Sequence, residues 1–139
     1  MILGIGADIV QTQRFNSWLE YSKEHLLRVF SQSELDHIFS GTQELAVQRM
    51  ASHFAAKEAF YKALSATLIK LKKIEKTVEF LSTCMAVSIA SGQWEVPTVI
   101  VDWCFFEEKL ATKLPALDIN LSISHEKDYA VAYVIIQGK

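Results

Sequence analysis

One long helix constrains this fold more than any other feature, and its second half is the run HFAAKEAFYKAL from His53 to Leu64. Steps of three and four residues bring two small side chains, an acid, a base and a hydroxyl onto one stripe: Ala51, Ala55, Glu58, Lys62 and Ser65. A helix that narrows to alanine beside a carboxylate and an ammonium can admit another segment or a charged ligand. The alternative is an exposed Glu58–Lys62 ion pair, which would contribute only a few tenths of a kcal/mol.

An apolar run of strand type extends from Ile2 to Val10. Asp8 interrupts this run, and an ionised carboxylate in a buried strand is costly unless a cation or several hydrogen-bond donors meet it. Asp8 is therefore either a ligand for a cation or a capping residue at a strand end. Gly4 and Gly6 do not indicate a dinucleotide site, because the third glycine of that fingerprint, which opens a helix, is missing.

Apolar and polar residues alternate over 119–124, which predicts a half-buried strand, and the apolar run 129–136 predicts a final buried strand. A short charged turn joins the two. We expect Ser122, Ser124 and His125 to lie together near the end of this hairpin, where hydroxyls and an imidazole can bind an anion. The alternative for His125 is an ordinary surface histidine.

Weaker patterns assign the rest of the chain. They predict one or two short helices within 13–30, a short helix opened by a Ser31–Glu34 capping box, the long helix over 42–64, the two strands of a hairpin over 77–90 and 97–105, and a helix over 106–114 that Pro115 ends. The lysine-rich segment 70–76 is either a continuation of the long helix or a basic connecting loop.

Composition favours one domain over residues 1–139 with a substantial core, since 50% of the residues are hydrophobic. A net charge of -2 and a pI near 6.1 argue against nucleic acid as a partner. Cys84 and Cys104 lie in apolar runs, which predicts buried, reduced thiols. Because neither a signal-type segment nor a run of about 18 apolar residues stands out, we expect a cytoplasmic protein without a membrane partner.

Several motif classes are absent from the sequence. The four histidines do not have zinc-site spacing, and no H-E-x-x-H, G-x-S-x-G or P-loop motif occurs. The chemistry must therefore come from residues that the fold brings together.

Three segments together resemble the small holo-[acyl carrier protein] synthases, the trimeric class of 4'-phosphopantetheinyl transferases. They are residues 4–10 of the first strand, residues 54–64 of the long helix, and residues 122–126 with 129–130 of the closing hairpin. The match covers the whole chain in order. The resemblance implies an α+β fold in which a small antiparallel sheet packs against a long helix, assembled as a homotrimer with sites at the subunit interfaces.

The resemblance also implies an activity: transfer of 4'-phosphopantetheine from coenzyme A to a serine of apo acyl carrier protein, with release of 3',5'-ADP, in fatty acid biosynthesis. Asp8 and Glu58 match the family's magnesium ligands, and Mg²⁺ prefers oxygen donors of this kind. The matches to catalytic positions are Glu58, Lys62 and His125, and the matches to positions around coenzyme A are His53, Lys62, Ser65, Ser124 and His125. Arg14 and Arg28 match the surface that would meet the acidic helix of the carrier protein.

The general base stays open at this point. Glu58 through a metal-bound water, or His125 or Glu126 from a neighbouring subunit, could each take the serine proton. Two departures from the family pattern concern coenzyme A: Ser-Ala-Thr-Leu stands after the helix where the family has a glycine-rich loop, and position 53, often arginine, is histidine. The lysines of 70–76 could offer ammonium groups in place of that loop.

Two other classes of protein fit the same residues. One is a non-catalytic module that binds coenzyme A or the carrier protein on the same scaffold. The other is a metal-dependent phosphohydrolase, which would act on coenzyme A without any carrier.

Overall fold

The structure is a computed structural model that describes residues 1–73, 76–91 and 93–139. The strands are β1 (Ile2–Gln11), β2 (Val87–Ser91), β3 (Pro97–Val101), β4 (Leu117–His125) and β5 (Tyr129–Gly138). The α-helices are α1 (Lys23–Leu26), α2 (Gln32–Ile38), α3 (Gln43–Lys70), α4 (Phe80–Ala86) and α5 (Trp103–Leu110), and 3₁₀ helices span Thr12–Glu20 and Gln93–Glu95. One antiparallel sheet has the order β1-β5-β4, and β2 pairs with β3 in a second. The predicted α+β class is confirmed.

The long helix α3 begins as predicted and ends later. Thr42 is its N-cap, with Oγ1 accepting a hydrogen bond of 3.2 Å from the Leu45 amide. The helix continues to Lys70, and Lys72 then takes a positive φ of 57°. Lys70 is therefore the last residue of the helix and residues 71–73 begin a connection, with Ile74 and Glu75 outside the described residues.

The inner face of the three-stranded sheet packs directly on α3 through two glycines of β1. A Cβ on Gly6 would overlap the carbonyl oxygen of Ala59 and lie 2.7 Å from the Ala63 amide nitrogen. A Cβ on Gly4 would overlap the Ala63 carbonyl oxygen. The glycines, together with the alanines of the helix, allow strand and helix backbones to touch, a role that the sequence interpretation of these glycines missed.

The prediction of a strand over 77–90 is wrong in its first part, because residues 80–86 form α4. The inward-facing residues of this segment have the i, i+3, i+4, i+7 spacing of a helix: Phe80, Thr83, Cys84 and Val87. Their β-branched and aromatic character favoured the strand interpretation, and no side-chain cap marks the helix start. The second part is confirmed as β2, which forms the predicted hairpin with β3.

The helix predicted over 106–114 also begins and ends earlier, as α5. The Asp102 side chain accepts a hydrogen bond of 3.1 Å from the Phe105 amide, which ends β3 at Val101 and starts the helix. Ala111 ends it in the left-handed conformation, with φ of 52°. Pro115 therefore lies beyond the helix rather than at its end.

The two cysteines differ in their surroundings. Cys84 is buried, and burial raises the pKa of its thiol to about 12, so it is inert as a nucleophile. Cys104 is exposed on α5, so the prediction of two buried thiols is wrong for Cys104.

The capping box at Ser31 and Glu34 is confirmed. The Ser31 hydroxyl accepts from the Glu34 amide at 3.3 Å, and the Glu34 carboxylate accepts from the Ser31 amide at 2.8 Å. The predicted short helices within 13–30 are the first 3₁₀ helix and α1. Among the described residues, none of the helices combines the length and the apolar character needed to cross a bilayer.

Candidate active site

Asp8 and Lys62 meet where β1 crosses α3. Lys62 Nζ donates to Asp8 Oδ1 at 2.8 Å and to the Ala7 carbonyl oxygen at 3.0 Å. Asp8 shares a row of the sheet with the buried Ala132, so its side chain points to the face that packs on the helix. The segment that packs closely on the alanine-lined face of α3 is thus β1, and it places the Asp8 carboxylate on that face.

Glu58 completes a pair of neighbouring carboxylates. It is half-buried one helical turn before Lys62. Burial, and next the negative charge of Asp8, raise the pKa of Glu58, while the charges of Lys62 and Arg14 act in the opposite direction. Among the described residues, no salt bridge joins Glu58 to Lys62, so the alternative of a simple Glu58–Lys62 ion pair is wrong.

The second oxygen of Asp8 has an unusual position. Asp8 Oδ2 is buried, and no group in the described part of the chain donates a hydrogen bond to it. A buried carboxylate oxygen without a donor is costly, and a cation would remove that cost. Within the same residues no three His, Cys, Asp or Glu side chains cluster as a metal site, so the protein offers two carboxylates.

Ser65 lines a small pocket beyond Lys62. The pocket has a volume of about 130 Å³ and is mostly apolar, with Tyr61, Leu68, Lys76 and Val78 among its walls. Of the lysines after the helix, Lys76 is the one that lines this pocket. Ser65 itself donates its hydroxyl to the Tyr61 carbonyl oxygen at 2.8 Å.

Two other lysines of that segment, Lys70 and Lys73, are engaged elsewhere. Lys70 Nζ donates to the Ile2 carbonyl oxygen at 2.8 Å, and Lys73 Nζ donates to Thr112 Oγ1 at 2.8 Å. These contacts tie the end of α3 to β1 and to the segment after α5.

The closing hairpin does not gather its polar residues as expected. Ser122 and Ser124 pair with Tyr133 and Val131, whereas His125 pairs with Ala130. Because side chains alternate along a strand, the two serines point to one face of the sheet and His125 points to the other. The expectation that all three lie together is wrong within one chain.

His125 is also remote from the carboxylates of its own chain. It lies in the row of Val10 and Ala130, on β4, with β5 between it and β1. Two strand spacings of about 4.8 Å separate β4 from β1. The structure thus keeps Ser124 and His125, both exposed, away from Asp8 in the same chain.

The outer face of the sheet, on the side away from α3, exposes several large apolar side chains. Ile5 is 60% exposed, Ile9 64% and Tyr133 55%. The rows of this face pair Ile9 with Val131 and Val131 with Ser124. An apolar sheet face with this exposure indicates a surface for association.

The two arginines assigned to the carrier are exposed. The Arg14 guanidinium carbon lies 4.9 Å from the centroid of the Phe54 ring, one turn before Glu58 on α3. Arg28 follows α1. Arg14 thus lies beside the carboxylate pair.

His53 belongs to a buried network rather than to an open surface. Its Nδ1 lies 2.9 Å from Glu34 Oε1, an oxygen that also accepts from the Ile89 amide at 3.2 Å. The other oxygen, Glu34 Oε2, pairs with Lys57 Nζ at 2.7 Å. Because His53 is only 8% exposed, coenzyme A could contact it only at the edge of the imidazole ring. That contact stays a prediction.

Lys57, the residue directly before Glu58, was not singled out from the sequence. Its ammonium is completely buried and donates to the Val29 and Cys84 carbonyl oxygens at 2.6 and 3.1 Å, besides its pairing with Glu34. It follows His53 by four residues and precedes the buried Phe60 by three, a spacing that could have placed it on the inner side. The network fixes α3 against its neighbours at the residue before Glu58.

Comparison with known proteins adds a family profile and several relatives. The profile of the 4'-phosphopantetheinyl transferase superfamily matches residues 4–134. The holo-[acyl-carrier-protein] synthase of Treponema denticola is 38% identical over 146 residues, covering 99% of this chain and 100% of that protein. That of Ehrlichia canis is 34% identical over 138 residues, covering 98% of this chain and 94% of that protein.

Solved structures share the fold. The ACPS–CoA complex of Chronobacterium ammoniagenes superimposes with a TM-score of 0.73 and 24% identity, over 98% of this chain and 97% of that chain. The holo-(acyl-carrier-protein) synthase of Bacillus anthracis in complex with CoA (3',5'-ADP) gives a TM-score of 0.72 and 24% identity, over 100% of this chain and 99% of that chain. The likeness extends over the whole arrangement of sheet and long helix.

Proposed function

This chain belongs to the 4'-phosphopantetheinyl transferase superfamily, and we propose that it is a holo-[acyl-carrier-protein] synthase. It transfers 4'-phosphopantetheine from coenzyme A to a serine of apo acyl carrier protein and releases 3',5'-ADP. The observation that carries this proposal is the meeting of Asp8, Glu58 and Lys62, two carboxylates and an ammonium, at the crossing of β1 and α3. The relatives named above, which are synthases of this kind, support it.

Asp8 and Glu58 fit a magnesium ion. Asp8 Oδ2 is a buried oxygen without a donor among the described residues, and Glu58 is a half-buried carboxylate beside it. Mg²⁺ commonly takes one or two protein carboxylates and fills its remaining positions with phosphate oxygens and water. When bound, it would neutralise the charge that grows on the leaving phosphate.

Lys62 and Ser65 continue from the carboxylates along the helix toward the pocket. Lys62 provides a mobile positive charge for the diphosphate, since an ammonium acts on phosphate as a point charge. Ser65 and the pocket of about 130 Å³ next to it would hold a further part of coenzyme A, with Lys76 at the wall. In this arrangement Lys76 takes over part of the role of a glycine-rich loop.

The site is completed by a neighbouring subunit in a homotrimer. Three features support this: the apolar outer face of the sheet, the position of Ser124 on that face, and the distance of His125 from Asp8 within one chain. Association through the outer face would bury Ile5, Ile9 and Tyr133 and carry Ser124 to another chain's phosphates, with His125 following it at the end of the edge strand β4. The proton of the carrier serine then has Glu58, His125 or Glu126 as acceptors.

The carrier docks beside the carboxylates. Arg14 and Arg28 are both exposed, Arg14 lies over the Phe54 ring one turn before Glu58, and opposite charge on the carrier would mainly speed encounter. Replacing both arginines by alanine should therefore raise the KM for carrier most at low salt, with kcat nearly unchanged. A KM that does not change at any salt concentration would argue against this surface.

We place the enzyme in the cytoplasm. The thiols of Cys84 and Cys104 are both free, as expected of a reducing compartment.

Mass spectrometry of apo carrier protein after incubation with coenzyme A and Mg²⁺ tests the activity. The wild-type protein should add the phosphopantetheine mass, and Asp8→Asn should lower the rate by about a hundredfold or more, since charge stabilisation of several kcal/mol is lost. Asp118→Asn is the matched control, because the only described residue that donates to its carboxylate is Gln137 on the same sheet. Binding without mass gain would indicate the non-catalytic module, and coenzyme A cleavage without carrier would indicate the phosphohydrolase.

A further inference from the structure

Lys62 is held at the carboxylate pair by two acceptors and yet stays accessible. Its ammonium contacts Asp8 Oδ1 at 2.8 Å and the Ala7 carbonyl oxygen at 3.0 Å. The Lys62 side chain is 48% exposed, whereas that of Asp8 is 14% exposed. Water and a charged ligand can therefore reach the lysine more easily than the aspartate.

A divalent cation on Asp8 would lie close to this ammonium, because the two oxygens belong to one carboxylate. Two positive charges within a few ångströms repel each other, and a partly buried position screens the repulsion less than bulk water does. The Lys62 ammonium and the cation thus compete for the Asp8 carboxylate. A diphosphate would change this balance, since it gives the ammonium another partner within reach of a flexible four-carbon stem.

Resting on the proposed function, we infer that Lys62 couples metal binding to coenzyme A binding. The ion pair of Lys62 with Asp8 weakens the binding of a divalent cation in the absence of coenzyme A. When coenzyme A binds, its diphosphate attracts the Lys62 ammonium away from Asp8, and cation binding becomes stronger. The metal should therefore bind tightly only when coenzyme A is also bound. The Lys62–Asp8 ion pair thus disfavours metal binding in the absence of coenzyme A.

Titration with Mn²⁺ followed by electron paramagnetic resonance tests this coupling without any turnover. Lys62→Met keeps the length of the side chain and removes the charge. It should bind Mn²⁺ alone about tenfold more tightly than wild type, a value within the range for coupled neighbouring groups. With coenzyme A present, its Mn²⁺ affinity should equal or fall below that of wild type.

Lys70→Met is the matched control. Lys70 lies on the same helix and donates to a carbonyl oxygen of the same strand, that of Ile2, and none of the described residues gives it a carboxylate partner. Its Mn²⁺ affinity should equal that of wild type with and without coenzyme A.

Asp8→Asn separates the two proposals. If Asp8→Asn abolishes Mn²⁺ binding while Lys62→Met binds Mn²⁺ alone no better than wild type, the coupling is refuted and the metal site stands. If Asp8→Asn binds Mn²⁺ as wild type does, the metal site itself is wrong and the coupling falls with it.

Discussion

Lys57→Met should be the most destabilising single change in this helix. The substitution preserves length and shape but removes an ammonium that is completely buried and donates to Glu34 Oε2, Val29 O and Cys84 O at 2.7, 2.6 and 3.1 Å. Breaking a buried ion pair by removing one partner costs about 3–5 kcal/mol. For a chain of this size each kcal/mol lowers Tm by about 3–4 °C, so we expect a fall of about 10–20 °C.

Thermal unfolding followed by circular dichroism, at equal protein concentrations, measures this effect. Lys62→Met is the control on the same helix, since its half-exposed ion pair with Asp8 contributes at most about 1 kcal/mol. A Tm for Lys57→Met within a few degrees of that control would refute the inference that the buried network holds α3. Glu34→Gln combined with Lys57→Met should cost less than the sum of the single changes, by about 0.5–3 kcal/mol, because the two side chains interact directly.

Three further predictions follow from the packing, the buried acid and the sheet face. Gly6→Ala should destabilise the protein by about 3 kcal/mol or more, because its methyl group would overlap the Ala59 carbonyl oxygen; Gly138→Ala, with only an ordinary contact at 3.7 Å, should be nearly neutral in the same urea titration. The pKa of Glu34 is lowered, because burial, which raises it, is outweighed by the bond from His53 and the charge of Lys57. Its contribution to stability is therefore present above the unfolded pKa of about 4.5 and is lost as pH falls through the lower folded value. Urea midpoints measured from pH 7 to pH 3 should fall less steeply for Glu34→Gln, and parallel curves would contradict this. In the proposed trimer, Ile9→Glu should favour monomers in light scattering, and a variant that stays trimeric would exclude the outer face as the interface.

Sequence patterns predicted the parts of this fold that depend on local chemistry. The capping box at Ser31 and the start of the long helix at Thr42 were predicted, and in both places the hydrogen bonds that open the helix lie within three residues. The alternation before His125 predicted β4 for a similar reason, since one buried face dictates the period. α4 was missed because tertiary burial overrode the strand preference of its residues.

The candidate site was predictable only in part. Asp8 was singled out as a charge in an apolar strand, and Glu58 and Lys62 as neighbours on one helix face. Their meeting depends on which helix β1 covers, and no local pattern states that. The serines and His125 of the hairpin were grouped by nearness in sequence, whereas the pleat of the strand sends them to opposite faces.

The pairing of β1 with β5 has a consequence for the order of assembly during synthesis. Asp8 pairs with Ala132, so the whole segment between them, including α3, must be synthesised before β1 can find this hydrogen-bonding partner. Contacts of such long sequence separation form late, because the intervening loop must close first. A nascent polypeptide therefore completes the sheet behind Asp8 only after β5 has emerged, so the strand that carries this carboxylate is fixed in place late in folding.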